Sequence, residues 1–444
     1  MPQIKIDMSA GWRTRFAGKP DDSLIRLPEP ETVALSAMDI PYIKPKLLVK
    51  EGEPVLAGTP LFHDKRNEKT VYVSPGSGRV KTIVFGPRRR LVEVVVALDG
   101  KEASVGFDPI DPASIPDIPR QDLITRLQQG GLWPGFRQFP FSDTADGSLT
   151  PPMVIVSLNG PEPFSPRPHL VLKDEFDFFK TGLNLLRRFT DQVVVTVRHS
   201  DLDRLGPARD LITHSLPDAY PCQDPKVVLY HLRTEARQNS AWTIRAEHLI
   251  LAAKFLLTGT YPVKRVVTMI KPHDTRPHII TRQGVPIAHL AGRPSEESRI
   301  TTGLFRGRMP DAGTHLGFFE SSLWRIPRTP DEEFFGFVRP GFDRHTLSRT
   351  FGSSLTGGIR IPDQGLHGEE RACINCGHCE RVCPVDLKPA FIMKAILADD
   401  VEQALSLGLL DCCLCGLCTF ACPFKVELSD IFSSEIQTCL KDKE

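Results

Sequence analysis

The 444-residue chain lacks the long apolar segments of a membrane-spanning protein. Its longest apolar run, Leu249 to Leu257, contains Lys254 and falls well short of the roughly 20 residues that a spanning helix needs. A surplus of charge is missing as well: 55 Lys and Arg against 54 Asp and Glu leave a formal net charge of +1, which argues against a nucleic-acid partner. Residues Met1 to Lys5 have no charged-then-apolar signal pattern, which predicts a reducing compartment.

Cysteine, in contrast, occurs in a repeated pattern near the C-terminus. Eight of the 11 cysteines fall in two copies of one spacing, each closed by a proline. The first run is Cys373-x2-Cys376-x2-Cys379-x3-Cys383-Pro384, and the second run is Cys412-x2-Cys415-x2-Cys418-x3-Cys422-Pro423. This is the spacing of two-cluster ferredoxins, and it predicts two [4Fe-4S] clusters.

Within each run, a tight loop brings three thiolates to neighbouring irons of one cluster, and the fourth cysteine ligates the other cluster. The predicted ligands are Cys373, Cys376, Cys379 and Cys422 for the first cluster, and Cys412, Cys415, Cys418 and Cys383 for the second. A pair of zinc sites is the main alternative, but zinc usually takes cysteines in separated C-x2-C pairs. Disulfides are not expected in a reducing compartment. Electron transfer is therefore the first function that the sequence indicates.

Three further cysteines lie outside this register. Cys413 sits inside the second run, whereas Cys222 and Cys439 stand alone. We interpret all three as small buried hydrophobes or spare thiols.

The N-terminal third of the chain divides into a β domain and a connecting segment. Residues 1–105 have short alternating stretches broken by Gly and Pro. The segments KEGEPVLAGTPLF and SPGSGRV resemble the barrel-sandwich domains of biotinyl and lipoyl carriers, without a well-placed carrier lysine. Residues 106–150 are predicted to be a linker with a helix at Gln121–Gln128 and a degenerate glycine-rich loop.

The middle of the chain has an α/β pattern over residues 151–268. The predicted strands are Met153–Leu158, Val193–Val197 and Val227–Tyr230, and the predicted helices are Asp174–Phe189 and Ala246–Leu257, the second ending at Gly259. This alternation indicates a Rossmann-like, mostly parallel sheet.

The C-terminal part is predicted to contain a small β-rich domain, residues 269–330, and a helical domain with the clusters, residues 331–444. Ala390–Ala398 and Val401–Leu407 are predicted helices between the two runs, the second capped by Asp400 and closed by Gly408. A helical insert between the runs indicates an α-helical ferredoxin domain.

One glycine-rich loop is a candidate nucleotide-binding site, and its candidate binding residues are Gly130, Gly131, Gly135 and Arg137. A phosphate cradle needs consecutive small residues whose N–H groups reach the anion. Here Leu132–Pro134 fill the middle of the loop, and proline has no N–H to donate. The guanidinium of Arg137 suits an anion or a structural salt bridge equally. The loop therefore predicts a degenerate nucleotide site.

Taken together, these parts resemble a known family. GGLWPGFRQFPFSD (Gly130–Asp143), AWTIRAEHLILAAKFLLTGTYPVKRVVTM (Ala241–Met269) and LGFFESSLWRIP (Leu316–Pro327) are similar to segments of NqrA, a component of the sodium-translocating NADH:quinone reductase. The chain also resembles RnfC, the related component of the Rnf complex. The resemblance covers nearly the whole chain and implies a barrel-sandwich domain, a Rossmann-like domain, a small β-grasp-like (SLBB-like) domain and a ferredoxin domain.

The resemblance also implies a departure from each family. NqrA has lost its clusters, whereas RnfC keeps two, so this chain combines an NqrA-like body with RnfC-like cysteine runs. RnfC also carries a glycine-rich FMN/NADH loop, which Trp133 and Pro134 interrupt here. FMN or NADH binding is therefore not the leading expectation.

From this resemblance we expect a peripheral subunit of a membrane-bound, ion-translocating NADH:quinone oxidoreductase on the cytoplasmic face of the bacterial inner membrane. Its two [4Fe-4S] clusters would relay electrons between a flavin subunit or soluble donor and the membrane subunits or quinone. Two alternatives stay open: an FMN/NADH-binding catalytic protein of the RnfC type, and a non-catalytic assembly scaffold. The sequence identifies no catalytic residue, coupling ion or quinone type.

Overall fold

The computed structural model describes residues 4–8, 10–13, 15–271, 274–311, 313–328, 338–344, 346–348, 350–356, 358–363 and 369–443, except for the side chains of residues 442 and 443. The predicted start of the cluster domain at residue 331 lies outside these residues.

The N-terminal region is built from short strands. They are β1 (Ile4–Lys5), β2 (Leu24–Arg26), β3 (Thr32–Ser36), β4 (Pro45–Leu47), β5 (Pro54–Val55), β6 (Pro60–Asp64), β7 (Asn67–Val73), β8 (Gly78–Phe85) and β9 (Leu91–Leu98). Antiparallel pairing gives one sheet in the order β3-β9-β8-β5 and another in the order β4-β6-β7. Both sheets contribute to one core, in which Val33, Leu61, Phe62 and Val94 are fully buried. The predicted β domain is confirmed.

The α/β region follows after a short helical turn. Its elements are α1 (Arg120–Gln129), β10 (Arg137–Gln138), β11 (Asp143–Thr144), β12 (Val154–Ser157), α2 (Pro168–Val171), α3 (Phe176–Leu186), β13 (Val193–Arg198), β14 (His214–Leu216), α4 (Pro225–Leu232), β15 (Trp242–Arg245) and α5 (Ala246–Thr258). Its sheet has the order β1-β14-β13-β12-β15-β10-β11, parallel from β1 to β15 and antiparallel at β10 and β11. Strand β12 is buried along its whole length, as expected for a central parallel strand covered on both faces.

One predicted strand of this region is wrong. Val227–Tyr230 belongs to helix α4. The Asp224 carboxylate caps this helix by accepting a 2.8 Å hydrogen bond from the Lys226 backbone N–H, and Pro225 occupies its first turn. A short apolar run is compatible with a strand or a buried helix, and here the cap decides.

A second β region follows. Its elements are β16 (Lys264–Ile270), β17 (His278–Arg282), α6 (Ile287–Ala291), β18 (Ser298–Thr301) and β19 (Ser322–Pro327). The sheet has the order β18-β19-β16-β17-β2, so the N-terminal strand β2 completes it, pairing in parallel with β17. Because β1 likewise completes the α/β sheet, the N-terminal segment ties both regions together.

The C-terminal region is helical, as predicted. Its helices are α7 (His378–Arg381), α8 (Pro389–Leu397), α9 (Val401–Ser406), α10 (Leu417–Ala421) and α11 (Leu428–Lys443). The Asp400 carboxylate caps α9 through a 2.9 Å bond from the Gln403 N–H, and Gly408 follows the helix in the left-handed conformation. No helix in the described part of the chain is long and apolar enough to cross a membrane.

Candidate iron–sulfur site

The two cysteine runs have the same backbone conformation. The chain enters the left-handed region at corresponding positions of both runs: Asn375 and Leu414 (φ 56° and 52°), Gly377 and Gly416 (74° and 76°), and Asp386 and Lys425 (50° and 60°). Non-glycine residues seldom adopt positive φ, and they keep it only where the surrounding structure demands it. Each loop leads into a short helix, α7 or α10, and then through Cys-Pro into α8 or α11. The repeat in sequence is therefore a repeat in structure.

One cavity collects thiols from both runs. Its wall contains Cys383 of the first run together with Cys412, Cys415 and Cys418 of the second. The other wall residues are mainly apolar and include Pro384, Val385, Leu387, Leu417 and Phe432. Three thiols of one run and the fourth of the other thus face a common space, which is the grouping that crossed ligation requires.

The thiols around this cavity lie in an apolar environment that disfavours free thiolates. Burial raises the pKa of Cys383 to about 11 and the pKa of Cys412 to about 12. Burial, together with neighbouring thiols, also raises the pKa of Cys418 well above its usual range. The thiolate is the form that binds metal, and bound cations would compensate its charge. An all-sulfur donor set fits an iron–sulfur cluster.

Side chains of the α/β region bind the backbone of the second run. The Tyr220 hydroxyl donates a 2.8 Å hydrogen bond to the carbonyl oxygen of Cys415, and Lys226 Nζ donates one of 2.9 Å to the carbonyl of Cys412. Burial lowers the pKa of Lys226, while the nearby cysteines and Asp224 act in the opposite direction. The second run is therefore docked on α4 and on the loop before it.

A loop of the second β region reaches the same place. The buried Glu162 carboxylate accepts the backbone N–H groups of residues 304, 305 and 306 at 2.7, 3.1 and 3.1 Å. The loop so held directs Arg306 toward the cysteines, where Nη2 lies 3.8 Å from Cys413 Sγ. The same guanidinium donates to the Tyr220 hydroxyl at 3.1 Å and pairs with Asp224 at 2.5 Å. Three parts of the chain thus meet around the second run.

The first run is more open. Cys379 is buried, but Cys373 and Cys376 are only partly so, and the side chain of Ile374 is 58% exposed. The Arg371 N–H donates a 2.9 Å hydrogen bond to the carbonyl of residue 424, so the start of the first run lies beside the end of the second. Cys373 and Cys422 also pack against one apolar core. The structure therefore places the start of the first run next to the end of the second, the two segments that contain Cys373 and Cys422 of the predicted first ligand set.

The remaining cysteines differ from one another. Cys222 is fully buried, its Sγ lies 4.0 Å from the carbonyl of Ala10, and burial raises its pKa to about 11. Cys413 lies on the wall of the cluster cavity, whereas Cys439 is on α11. In the described part of the chain, no three His, Cys, Asp or Glu side chains converge closely enough to be a single-ion site. The cavity is therefore the feature on which a cluster assignment rests.

The glycine-rich loop uses its glycines for close packing. A Cβ atom on Gly130 would lie 2.2 Å from the Phe255 ring, and one on Gly135 would lie 3.1 Å from His248. Gly131 has a φ of +72°, and a Cβ there would meet the Val73 side chain at 2.6 Å. Between these glycines, Trp133 is fully buried and stacks on Phe136, and the rings of Trp133 and Trp242 are nearly perpendicular.

Arg137 is likewise engaged within the protein. Its guanidinium donates to the carbonyl of Ser142 at 2.8 Å and to Thr144 Oγ1 at 3.0 Å, and it lies over the Phe319 ring. A nucleotide role for Gly130, Gly131, Gly135 and Arg137 stays a prediction, and these contacts do not favour it.

Ion pairs lie at one point of the carboxyl edge of the sheet, the edge where parallel α/β sheets usually bind ligands. At the carboxyl end of β15, Arg245 and Arg265 both contact the Glu247 carboxylate, at 2.8 and 3.1 Å. Although burial opposes ionisation, the two guanidinium groups hold the pKa of Glu247 well below its usual range.

Comparison with known proteins agrees with this architecture. A family model described as the NqrA N-terminal barrel-sandwich hybrid domain matches residues 6–99, and the NqrA second alpha/beta domain matches residues 118–261. The NqrA protein of the Na(+)-translocating NADH-quinone reductase of Serratia proteamaculans is 30% identical over 437 residues, which cover 96% of this chain and 97% of the relative. The chain belongs to the NqrA family. The resemblance inferred from the sequence is thereby confirmed.

Other members of the NqrA family match over similar lengths. The Rhodopirellula baltica protein is 29% identical, with 95% of each chain covered, and the Cellvibrio japonicus protein is 28% identical, with 97% of this chain and 98% of the relative covered. Two crystal structures of NAD+-reducing [NiFe]-hydrogenase match with TM-scores of 0.33 and 0.39, at 16% and 12% identity, covering 50% and 75% of this chain and 47% and 65% of theirs. That likeness is too weak to compare folds.

A third family model accounts for the C-terminal region of this NqrA homologue. It is described as a 4Fe-4S dicluster domain and matches residues 367–423, a span that contains all eight cysteines of the two runs. The chain therefore combines an NqrA body with a 4Fe-4S ferredoxin domain.

None of the side chains that hold the second run in place was identified from the sequence. Tyr220, Lys226 and Arg306 lie far from the cysteines along the chain, and no motif connects them. The one usable signal was the Asp-Pro pair before Lys226, which marks a helix start and would have placed the lysine in a first turn.

Proposed function

We propose that this chain is a peripheral electron-transfer subunit of a membrane-bound, ion-translocating NADH:quinone oxidoreductase, and that it relays electrons through two [4Fe-4S] clusters. The observation that carries the proposal is the shared cavity, in which Cys383 of the first run joins three thiols of the second. Similarity to NqrA over nearly the whole chain supports membership in such a complex.

The ligand assignment follows the crossed pattern. Cys412, Cys415, Cys418 and Cys383 hold the second cluster, and Cys373, Cys376, Cys379 and Cys422 hold the first. A bound [4Fe-4S] cluster takes up and releases single electrons. The chain supplies the remaining requirements: thiolates to fix the clusters, apolar walls to exclude water, and backbone donors such as the Leu414 N–H, 3.4 Å from Cys412 Sγ.

The partners and location follow from the relatives rather than from this chain's geometry. We place the chain at the cytoplasmic face of the bacterial inner membrane, with membrane subunits and a flavin subunit or quinone as redox partners. The names of the relatives supply the reaction, NADH oxidation by quinone coupled to sodium translocation. We also assign the parallel sheet to a Rossmann-like domain and the sheet of β16–β19 and β2 to a β-grasp-like domain.

The packed glycine loop favours a relay over a flavoprotein. A flavin phosphate would need free backbone N–H groups, and here Trp133 fills the middle of that loop. Electrons from NADH would then reach this chain through a partner.

Anaerobic purification of the full chain tests the proposal. We expect about eight irons per chain and EPR signals of two interacting clusters after dithionite but not after NADH alone. The Cys439→Ser variant is the matched control, because Cys439 lies outside both runs, and it should retain all iron. A preparation without iron would overturn the relay, and signals with NADH alone would make the flavoprotein the better description.

A further inference from the structure

Cationic side chains are concentrated around the second run. Three cationic side chains contact residues 411–413, namely Lys226, Arg233 and Arg306. Arg233 forms two hydrogen bonds to the Asp411 carboxylate, at 2.6 and 2.7 Å, and Arg306 pairs with Asp224. No carboxylate among the described residues lies within ion-pair distance of Lys226, which instead binds the Cys412 carbonyl at 2.9 Å. One positive charge is thus left without a direct counter-ion beside a predicted cluster ligand.

Burial of the second run makes that charge important. Reduction adds one electron to a cluster that is already anionic with its four thiolates, and a buried site disfavours the added charge. A nearby ammonium stabilises the reduced form, and it acts more strongly in a partly buried site than in water. The negative charge of the cluster in turn favours the protonated lysine.

The first run offers an internal contrast. Lys394 Nζ donates a 2.9 Å hydrogen bond to Asn375 Oδ1, so this lysine also lies beside a cysteine loop. Both residues are exposed to solvent, where salt and water screen the charge. The two lysines therefore provide a partly buried and an exposed cation next to corresponding loops.

We propose that Lys226 is a positioning residue that raises the reduction potential of the second cluster, so that a side chain of the α/β region sets how readily the ferredoxin region accepts an electron. The inference rests on the proposed two-cluster function. It assigns to α4 a role in electron transfer, since this helix carries Lys226 in its first turn and Asp224 as its cap.

An EPR-monitored redox titration of the full chain with dithionite tests this role. In Lys226→Gln, which keeps a hydrogen-bond donor but removes the charge, one midpoint potential should move to a more negative value. At a fixed applied potential, the ratio of reduced to oxidised second cluster should fall on the order of tenfold, as expected for one charge within about 10 Å at an intermediate dielectric constant. Lys226→Arg should restore the wild-type potential, and Lys394→Gln should leave both potentials unchanged.

Different results separate the inference from the function on which it rests. Equal potentials in Lys226→Gln and wild type, at equal iron content, would overturn the role of Lys226. The same shift in Lys226→Arg would also overturn it, because packing rather than charge would then be the cause. A wild-type chain with only one cluster would overturn the two-cluster relay. The Lys226 inference would then stand if the midpoint potential of that cluster becomes more negative in Lys226→Gln, and it would fail if the potential is unchanged.

Discussion

The two cysteine runs share a backbone but not an environment. Corresponding residues His378 and Leu417 illustrate this: the histidine is partly exposed, whereas the leucine is fully buried. The second run is held by Tyr220 and Lys226, whereas Ile374 of the first run faces solvent. Local sequence therefore specifies the loop that presents the cysteines, and contacts with the rest of the protein specify how deeply each loop is buried.

Removal of one cysteine from each run should have the largest effect. Cys415→Ser and Cys376→Ser should each lose about half of the iron, because a cluster loses one of its four thiolates. Cys415→Ser should also lower the midpoint of unfolding more, since Cys415 is buried between the body and the cavity. Iron analysis and denaturant titration measure the two effects. Full iron retention in either variant would contradict the ligand assignment.

Truncation of the corresponding side chains should sharpen the contrast in burial. Leu417→Ala should lower the free energy of unfolding by about 2–5 kcal/mol, because it leaves a cavity in a fully buried position. His378→Ala should change it by less than about 0.5 kcal/mol. Urea unfolding of both variants measures the difference, and equal losses would mean that the two runs are equally well packed.

Loss of one hydroxyl should weaken the docking of the second run. Tyr220→Phe leaves the carbonyl of Cys415 and Nε of Arg306 without this partner, at a cost of about 1–3 kcal/mol in unfolding free energy. Tyr230→Phe on α4 is the control, because its hydroxyl bonds none of the described residues. An equally small change in unfolding free energy in both variants would mean that the Tyr220 hydroxyl does not stabilise the docking of the second run.

Small effects should also come from substitutions at the left-handed positions. Glycine relieves roughly 1–2 kcal/mol of strain at positive φ but adds chain entropy to the unfolded state. Asn375→Gly should therefore change the free energy of unfolding by less than about 1 kcal/mol. Leu414→Gly should be the more destabilising of the two, because it also removes a partly buried side chain. Urea titration of both variants checks this, and the opposite order would contradict it.

The elements that sequence predicted well have strong local signals. Helix α5 ends at Gly259, which has a φ of +68°, and α9 begins at the Asp400 cap, both as predicted. The strand predicted at Val227–Tyr230 is wrong because an apolar run of that length is compatible with a strand or with a buried helix. Its side chains are buried in two cores, and a strand or a helix would allow such burial. The pairing of β2 with β17 was also beyond prediction, because the paired residues are far apart in the sequence.

The sequence by itself determined the chemistry of this protein: the repeated spacing of eight cysteines and the resemblance to the NqrA family. These features depend on neighbouring residues and on residue type. Only the tertiary structure decided that Cys383 faces the second run, that the glycine loop is packed shut, and that Lys226 lies at the Cys412 carbonyl. Such contacts join distant segments, and they form only when the regions pack against one another.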